Sequence, residues 1–152
     1  MKLVACTAAE TPAMAAAHAL AFDASWREDE FEDLLEGEGI YGFLAQDGDE
    51  PLGVILCRVA AGEVEVLTLG VAKAGRRRGV ARALLSAALP TAREMGAAEA
   101  FLEVAVDNEG AIALYDAAGF RRAGVRKAYY DRRPVGYTDA LVMRLDLNAA
   151  AA

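Results

Sequence analysis

Cysteine is nearly absent from this chain, which carries only Cys6 and Cys57, and histidine is represented by His18 alone. Both cysteines sit in apolar runs and read as reduced core residues, not as a disulfide framework or a catalytic thiol. No second His, Cys or carboxylate stands at ligand spacing around His18, so no metal site is expected and packing is its expected role. Apolar runs stay short of the ~18 to 20 residues that a membrane-spanning helix needs. Leu3-Val-Ala-Cys6 imitates a lipoprotein cleavage site, yet the apolar region of a signal peptide runs to about 7 to 15 residues. The segment reads instead as a first strand, and a cytoplasmic protein that meets no membrane is expected. There is no Pro/Gly/Ser-rich linker and no internal repeat, which points to one domain over residues 1–147 and a disordered tail over 148–152. A hydrophobic content of 55% with 26% charged residues excludes an intrinsically disordered chain.

What is present is an alternation of strands and helices. Strands are expected at Lys2 to Cys6, Ile40 to Gln46, Leu52 to Ala60, Glu63 to Val71, Ala100 to Val106, Phe120 to Lys127 and Tyr137 to Leu147. Asp47-Gly-Asp-Glu50 is a hairpin turn signal between the second and third of these. Thr11-Pro12 predicts a helix start with Thr as cap and Pro in the first turn. Further helices are expected over Arg27 to Leu35, from Val80 to near Gly96, and over Glu109 to Ala118. The result is an α/β (α+β) fold in which about four helices flank a mixed sheet of about seven strands.

Between the fourth strand and its helix lies Gly70-Val-Ala-Lys-Ala-Gly-Arg-Arg-Arg-Gly-Val-Ala-Arg82. Backbone N–H groups at a helix start lack intrahelical partners and point at an anion placed there. Arg76, Arg77, Arg78 and Arg82 add full positive charge at the same point, where cations are disfavoured unless an anion compensates. Gly70-x4-Gly75 imitates a P-loop but lacks the Lys-Ser/Thr pair for terminal phosphates and magnesium, and no Gly-x-Gly-x-x-Gly fingerprint is present. What remains, Arg76-x-x-Gly79-x-Ala81, resembles the acetyl-coenzyme A signature Arg/Gln-x-x-Gly-x-Gly/Ala of the GNAT N-acetyltransferases. Leu102-Glu-Val-Ala-Val-Asp-Asn108, Glu109-Gly-Ala-Ile-Ala-Leu-Tyr-Asp-Ala-Ala-Gly-Phe120, Arg126-Lys-Ala-Tyr129-Tyr130 and Thr138-Asp-Ala-Leu-Val-Met-Arg144 extend the resemblance. They are most similar to the RimI-type ribosomal-protein alanine N-acetyltransferases. Ala21-Phe22, Trp26 and Phe31 fit the same subgroup, although its usual Pro before the Trp is absent.

The resemblance implies a sheet splayed between its fourth and fifth strands, with acetyl-coenzyme A in the opening and no metal. Its implied contacts are the backbone of Leu69, Gly70 and Val71, the turn residues Arg76, Arg77, Arg78, Gly79, Val80, Ala81 and Arg82, and Asn108. On the residues alone, Asn108 reads as a helix cap. Glu103 stands in the middle of a strand, where a carboxylate is costly unless hydrated or paired. A salt bridge or a groove edge accounts for it on chemistry alone, and the resemblance implies a general base. Glu65 on the neighbouring strand is the rival base, as in other branches of the superfamily. Tyr115 shares a helix face with Ala111, Ile112 and Ala118 and reads as packing. The resemblance implies that it protonates the departing thiolate.

The implied reaction is direct attack of a neutral amine on the thioester. An α-amine with pKa ~7.9 is cheap to deprotonate near pH 7.4, whereas a lysine at ~10.4 costs about 4 kcal/mol. This favours a protein N-terminus as acceptor, such as that of a ribosomal protein, with a small amine or a protein lysine as the alternative. Between Asp23 and Glu50 eleven acidic residues face a single base, Arg27. That segment either attracts a basic acceptor tail or is a solvated face. Arg121, Arg122, Arg126, Lys127, Arg132 and Arg133 make the C-terminal part locally basic. A net charge of -7 nevertheless argues against specific nucleic-acid binding. Tyr129 and Tyr130 match the subgroup's acceptor-side motif and otherwise read as packing.

Overall fold

In the computed structural model, which describes residues 1–131 and 136–148, the alternating runs pair into one seven-stranded sheet. The elements are β1 (Lys2–Ala5), α1 (Thr11–Ala21), α2 (Glu28–Leu35), β2 (Ile40–Asp47), β3 (Glu50–Ala60), β4 (Glu63–Val71), α3 (Val80–Glu94), β5 (Glu99–Ala105), α4 (Glu109–Ala117), β6 (Arg121–Asp131) and β7 (Tyr137–Asp146). Strand order is β1-β2-β3-β4-β5-β7-β6, with β4 and β5 parallel and the other neighbours antiparallel. The expected mixed sheet, helix count and splay are all found. No helix among the described residues is long and apolar enough to cross a membrane. Arg132 and Arg133, and the tail beyond Asn148, lie outside the described residues.

Each face of the sheet buries its own core. Val80, Leu84, Leu85, Ala88 and Ala92 recur along α3 at helical spacing and pack on Ile55, Cys57, Val64, Val66, Leu102 and Met143. On the opposite face Met14 and Ala17 of α1 and Phe31 of α2 cover Leu44, Val54 and Leu56. This second layer reaches only as far as β4. The same face of β5 and β7 has no helix over it, and its residues Phe101, Glu103, Val142 and Arg144 remain half-buried.

Two local expectations change. Thr11 is the first residue of α1 and not its cap. The N-cap position of α1 is Glu10, without a side-chain cap bond, and Thr7 caps the preceding 3-10 turn at Ala8–Glu10 in a capping box with Glu10. β6 continues past Lys127 to Asp131, because a register shift of two residues between Arg126 and Tyr130 lets pairing with β7 resume beyond an interruption. Cys6 and Cys57 carry free thiols, which burial pushes up to about 12.

His18 ties the α1 layer to β4. The Trp26 N–H donates to Nδ1 at 3.0 Å, which leaves the ring proton on Nε2 to donate to Thr68 Oγ1 at 3.0 Å. The ring stacks on Trp26 with centroids 5.0 Å apart and meets Phe22 and Phe31 at 4.5 and 5.5 Å. With 3% of its surface exposed, burial pushes its pKa down to about 4, against a weaker opposing pull from Glu30. The unfolded chain therefore takes up a proton near pH 6.5 that the folded one refuses. Stability from this group is complete above pH 6.5 and falls as pH drops toward 4, by up to about 3 kcal/mol. In urea unfolding at a series of pH values, His18→Gln should lie below wild type at pH 7, and the gap should narrow by that amount at pH 4.

Candidate active site

The parallel ladder between β4 and β5 is short. It runs through Glu63↔Glu99, Val64↔Ala100 and Glu65↔Phe101 and then stops, although β4 continues to Val71 and β5 to Ala105. A bulge explains the parting. Leu56 pairs with Thr68 but Cys57 pairs with Val66, so Leu67 is an extra residue in β4 that bends the strand and shifts its alternation. Val64 and Val66 face α3 before the bulge, and Leu69 and Val71 face it afterwards. Thr68 and Gly70 then turn to α1. A Cβ on Gly70 would stand 2.5 Å from Phe22 Cε2 and 2.9 Å from Ala21 Cβ, so only glycine admits the end of α1 this close. From Val66 to Val71 the edge of β4 toward β5 carries backbone groups with no strand partner.

α3 begins beside the far end of this gap. Gly79 occupies the N-cap with φ of 74° and no side-chain cap, and the first α-helical bond there runs from Ala83 N–H to Gly79 O at 3.0 Å. The N–H groups of Gly79, Val80, Ala81 and Arg82 therefore precede any intrahelical acceptor. Arg78 is anchored to Asp47 at 3.3 Å and to the Ala74 carbonyl at 3.4 Å, and Arg76 Nε reaches the Val71 carbonyl at 3.4 Å. Arg77, with φ of 63°, and Arg82 are exposed and carry no ion pair among the described residues. An uncapped helix start ringed by arginine is a donor set suited to a pyrophosphate, so these residues fit the anionic part of a coenzyme A thioester.

Glu103 stands two residues beyond Phe101, the last rung of the ladder, and so about 6.6 Å further along the gap than Glu65. It pairs with Arg126 at 3.0 Å, and Glu65 pairs with Arg58 at 2.8 Å. The Glu103 side chain is 23% exposed against 51% for Glu65. Glu65, Phe101, Glu103, Arg58 and Val142 line an open groove of about 410 Å³ on the sheet face without a helix. Tyr115 lies across the sheet on α4, packed edge-on against Phe120 at 5.8 Å. Burial, aided by Tyr130 and Cys57, pushes its hydroxyl up to about 12. Asn108 caps α4, its Oδ1 accepting from Ala111 N–H at 3.2 Å.

Arg126 and Tyr130 frame the same place. The Arg126 guanidinium lies 4.5 Å from the Tyr129 ring centroid, and the Tyr130 hydroxyl donates to the Glu103 carbonyl at 3.4 Å. The sequence marks Arg126 only as one of several local bases. A one-residue register irregularity in β6 at Arg122/Gly124 shifts the alternation and turns Arg126 toward Glu103. Among the described residues no cluster of three or more His, Cys, Asp or Glu is placed to hold a metal.

Comparison with known proteins bears on this arrangement. The sequence profile of the acetyltransferase (GNAT) family, whose members use acetyl-coenzyme A, matches residues 11–120. The chain is 44% identical over 84 residues to the N-alpha-acetyltransferase RimI of Mycobacterium tuberculosis, an alignment covering 55% of this chain and 49% of that protein. It thus spans about half the length of that relative. The [Ribosomal protein bS18]-alanine N-acetyltransferase of Escherichia coli is 30% identical over 123 residues, which cover 81% of this chain and 82% of that one. The crystal structure of the ribosomal-protein-S18-alanine N-acetyltransferase from Escherichia coli superposes with a TM-score of 0.87 at 27% identity, over 96% of this chain and 93% of the other. With the profile matched over most of its length and a relative aligned along four-fifths of it, this chain belongs to the GNAT acetyltransferase family.

Proposed function

We propose that the protein is an acetyl-coenzyme A-dependent N-acetyltransferase that acetylates the α-amine of a protein N-terminus, with a ribosomal protein as the acceptor class. One observation carries the reading. A carboxylate, Glu103, stands where β5 has left β4, beside an unpaired strand edge that leads to an uncapped, arginine-ringed helix start. The names and lengths of the Escherichia coli relatives support the choice of acceptor. A cytoplasmic place of work goes with that acceptor.

The donor supplies an activated carbonyl and a thiolate leaving group. On this reading the N–H groups of Gly79 to Arg82, with Arg77 and Arg82, hold the pyrophosphate, and Asn108 adds a polar contact from the head of α4. N–H groups along the free edge of Leu69 to Val71 face the carbonyl and stabilise the charge that develops on its oxygen. Glu103 accepts the proton that the amine loses as the new C–N bond forms and the C–S bond breaks. Arg126 must yield some of its hold on Glu103 as the amine arrives, which favours an acceptor that can itself donate to the carboxylate. Tyr115 faces the departing sulfur. Full transfer from a hydroxyl at about 12 to a thiolate of reference pKa ~8.5 is uphill by roughly 5 kcal/mol, so Tyr115 acts by hydrogen-bond donation.

Thiol release from acetyl-coenzyme A tests the acceptor class, with a peptide that starts Ala-Arg-Arg set against its α-blocked, lysine-containing counterpart. Turnover is expected on the free α-amine only. Turnover confined to the blocked peptide would make the protein a lysine acetyltransferase and overturn the proposal. Glu103→Gln should lower kcat by about 100-fold or more with the KM for acetyl-coenzyme A unchanged, and Glu65→Gln by less than about threefold. The reverse ranking would move the base to Glu65. Tyr115→Phe should lower kcat by about 10- to 100-fold, and an unchanged kcat would remove its assigned role.

A further inference from the structure

Beyond the one-residue shift at Arg122/Gly124, β6 contains a longer irregularity between Arg126 and Tyr130. Arg126 pairs with Ala140 and Tyr130 with Thr138, so four steps along β6 answer two along β7. Two extra residues are accommodated in β6, and Ala128 among them adopts a φ of 50°, a left-handed conformation that an alanine rarely takes without outside support. The support is visible. The Ala128 N–H donates to Asp139 Oδ1 at 2.7 Å, and Lys127 Nζ lies 3.7 Å from Asp139 Oδ2. The carbonyl of the same Asp139 accepts from Val106 N–H at 3.1 Å, just past the end of β5. One residue of β7 therefore fixes the bulged part of β6 on one side and the end of the Glu103 strand on the other.

The residues flanking the bulge are those that meet Glu103. Arg126 before it makes the 3.0 Å pair to the Glu103 carboxylate, Tyr129 within it takes that guanidinium against its ring, and Tyr130 after it reaches the Glu103 carbonyl. Tyr129 and Tyr130 brace one another edge-on at 4.9 Å. Inserting two residues preserves the alternation, so Arg126 and Tyr130 stay on one face while the interval between them lengthens. An unbulged strand would put Tyr130 out of reach of β5 by two positions.

We infer that Asp139 is a positioning residue for the acceptor: its carboxylate holds the β6 bulge that brings Tyr129 and Tyr130 to the Arg126–Glu103 pair, and so shapes the place where the incoming amine is held. The inference rests on the acceptor reading given above. It assigns to Asp139 itself no contact with the donor.

The test is a split of kinetic constants in Asp139→Ala, Asp139→Asn and Lys127→Ala, with the Ala-Arg-Arg peptide as varied acceptor. Asp139→Ala should raise the acceptor KM at least tenfold while the KM for acetyl-coenzyme A stays within twofold of wild type. Asp139→Asn, which keeps an oxygen for the Ala128 N–H, should recover most of that loss, and Lys127→Ala, which removes only the longer ion pair to Asp139, should fall between wild type and Asp139→Ala. An active wild type with an acceptor KM in Asp139→Ala within twofold would overturn the inference and leave the acceptor reading intact. So would an equal rise in both KM values, which marks general loosening. A wild type that turns over no peptide α-amine would remove the acceptor reading and this inference with it.

Discussion

Everything distinctive in this molecule depends on two parallel strands that part company after three rungs. A β-sheet interior normally satisfies every backbone N–H and C=O by pairing. Here β4 and β5 forgo that pairing with each other for more than half their length, and two cores on opposite faces hold them apart. α3 and α4 occupy one side of the divergence and α1 with α2 the other, so neither strand can swing back without opening a packed layer. The extra residue Leu67 makes this possible, because it bends β4 and hands its later residues to different partners. Unpaired backbone polar groups then become an asset, as pre-oriented donors whose alignment was fixed when the chain folded.

His18 shows how closely the layers are tied at that point. Its ring bridges the α1–α2 segment to Thr68, the first residue after the bulge, and the aromatic rings around it keep it neutral. A charged histidine would have been a poor fastener there, since each protonation would weaken the junction. The position of Gly70 two residues on follows the same logic, because backbone and helix approach where no side chain would fit.

Much of this is legible in the residues. Val and Leu alternation announces the strands, the spacing of Val80, Leu84 and Ala88 announces the central helix, and the Arg76 to Ala81 turn points to an anion at its start. Glu103 stands out as a carboxylate in mid-strand and Asn108 as a helix cap, whereas Tyr115 reads as packing until the resemblance singles it out; each lies where its expected element places it. What the sequence conceals are departures from regularity. Simple alternation puts Glu65, Leu67, Leu69 and Val71 on one face, and the bulge at Leu67 breaks that pattern without leaving a Gly or Pro as a marker. Thr7 and Glu10 form a capping box, but Pro12 draws attention to the next threonine along. Asp139 looks like an ordinary member of the last strand, because its partner lies across a bulge in a different strand. Such contacts are set by register, and register is a property of pairs of strands.

The face of the sheet that no helix covers carries three cross-strand ion pairs side by side: Arg58 with Glu65, Glu99 with Arg144, and Glu103 with Arg126. Each links neighbouring or next-neighbour strands, and each is partly open to water, where such a pair contributes about 0 to 1 kcal/mol and is screened by salt. The helix-covered cores owe their cohesion to apolar burial, on which simple salts have far less hold. The two sides of the same sheet therefore respond differently to ionic strength. As salt rises, the uncovered face loosens its lacing while the opposite one keeps its shape, so the molecule is soft toward what arrives on one side and rigid toward what it holds on the other.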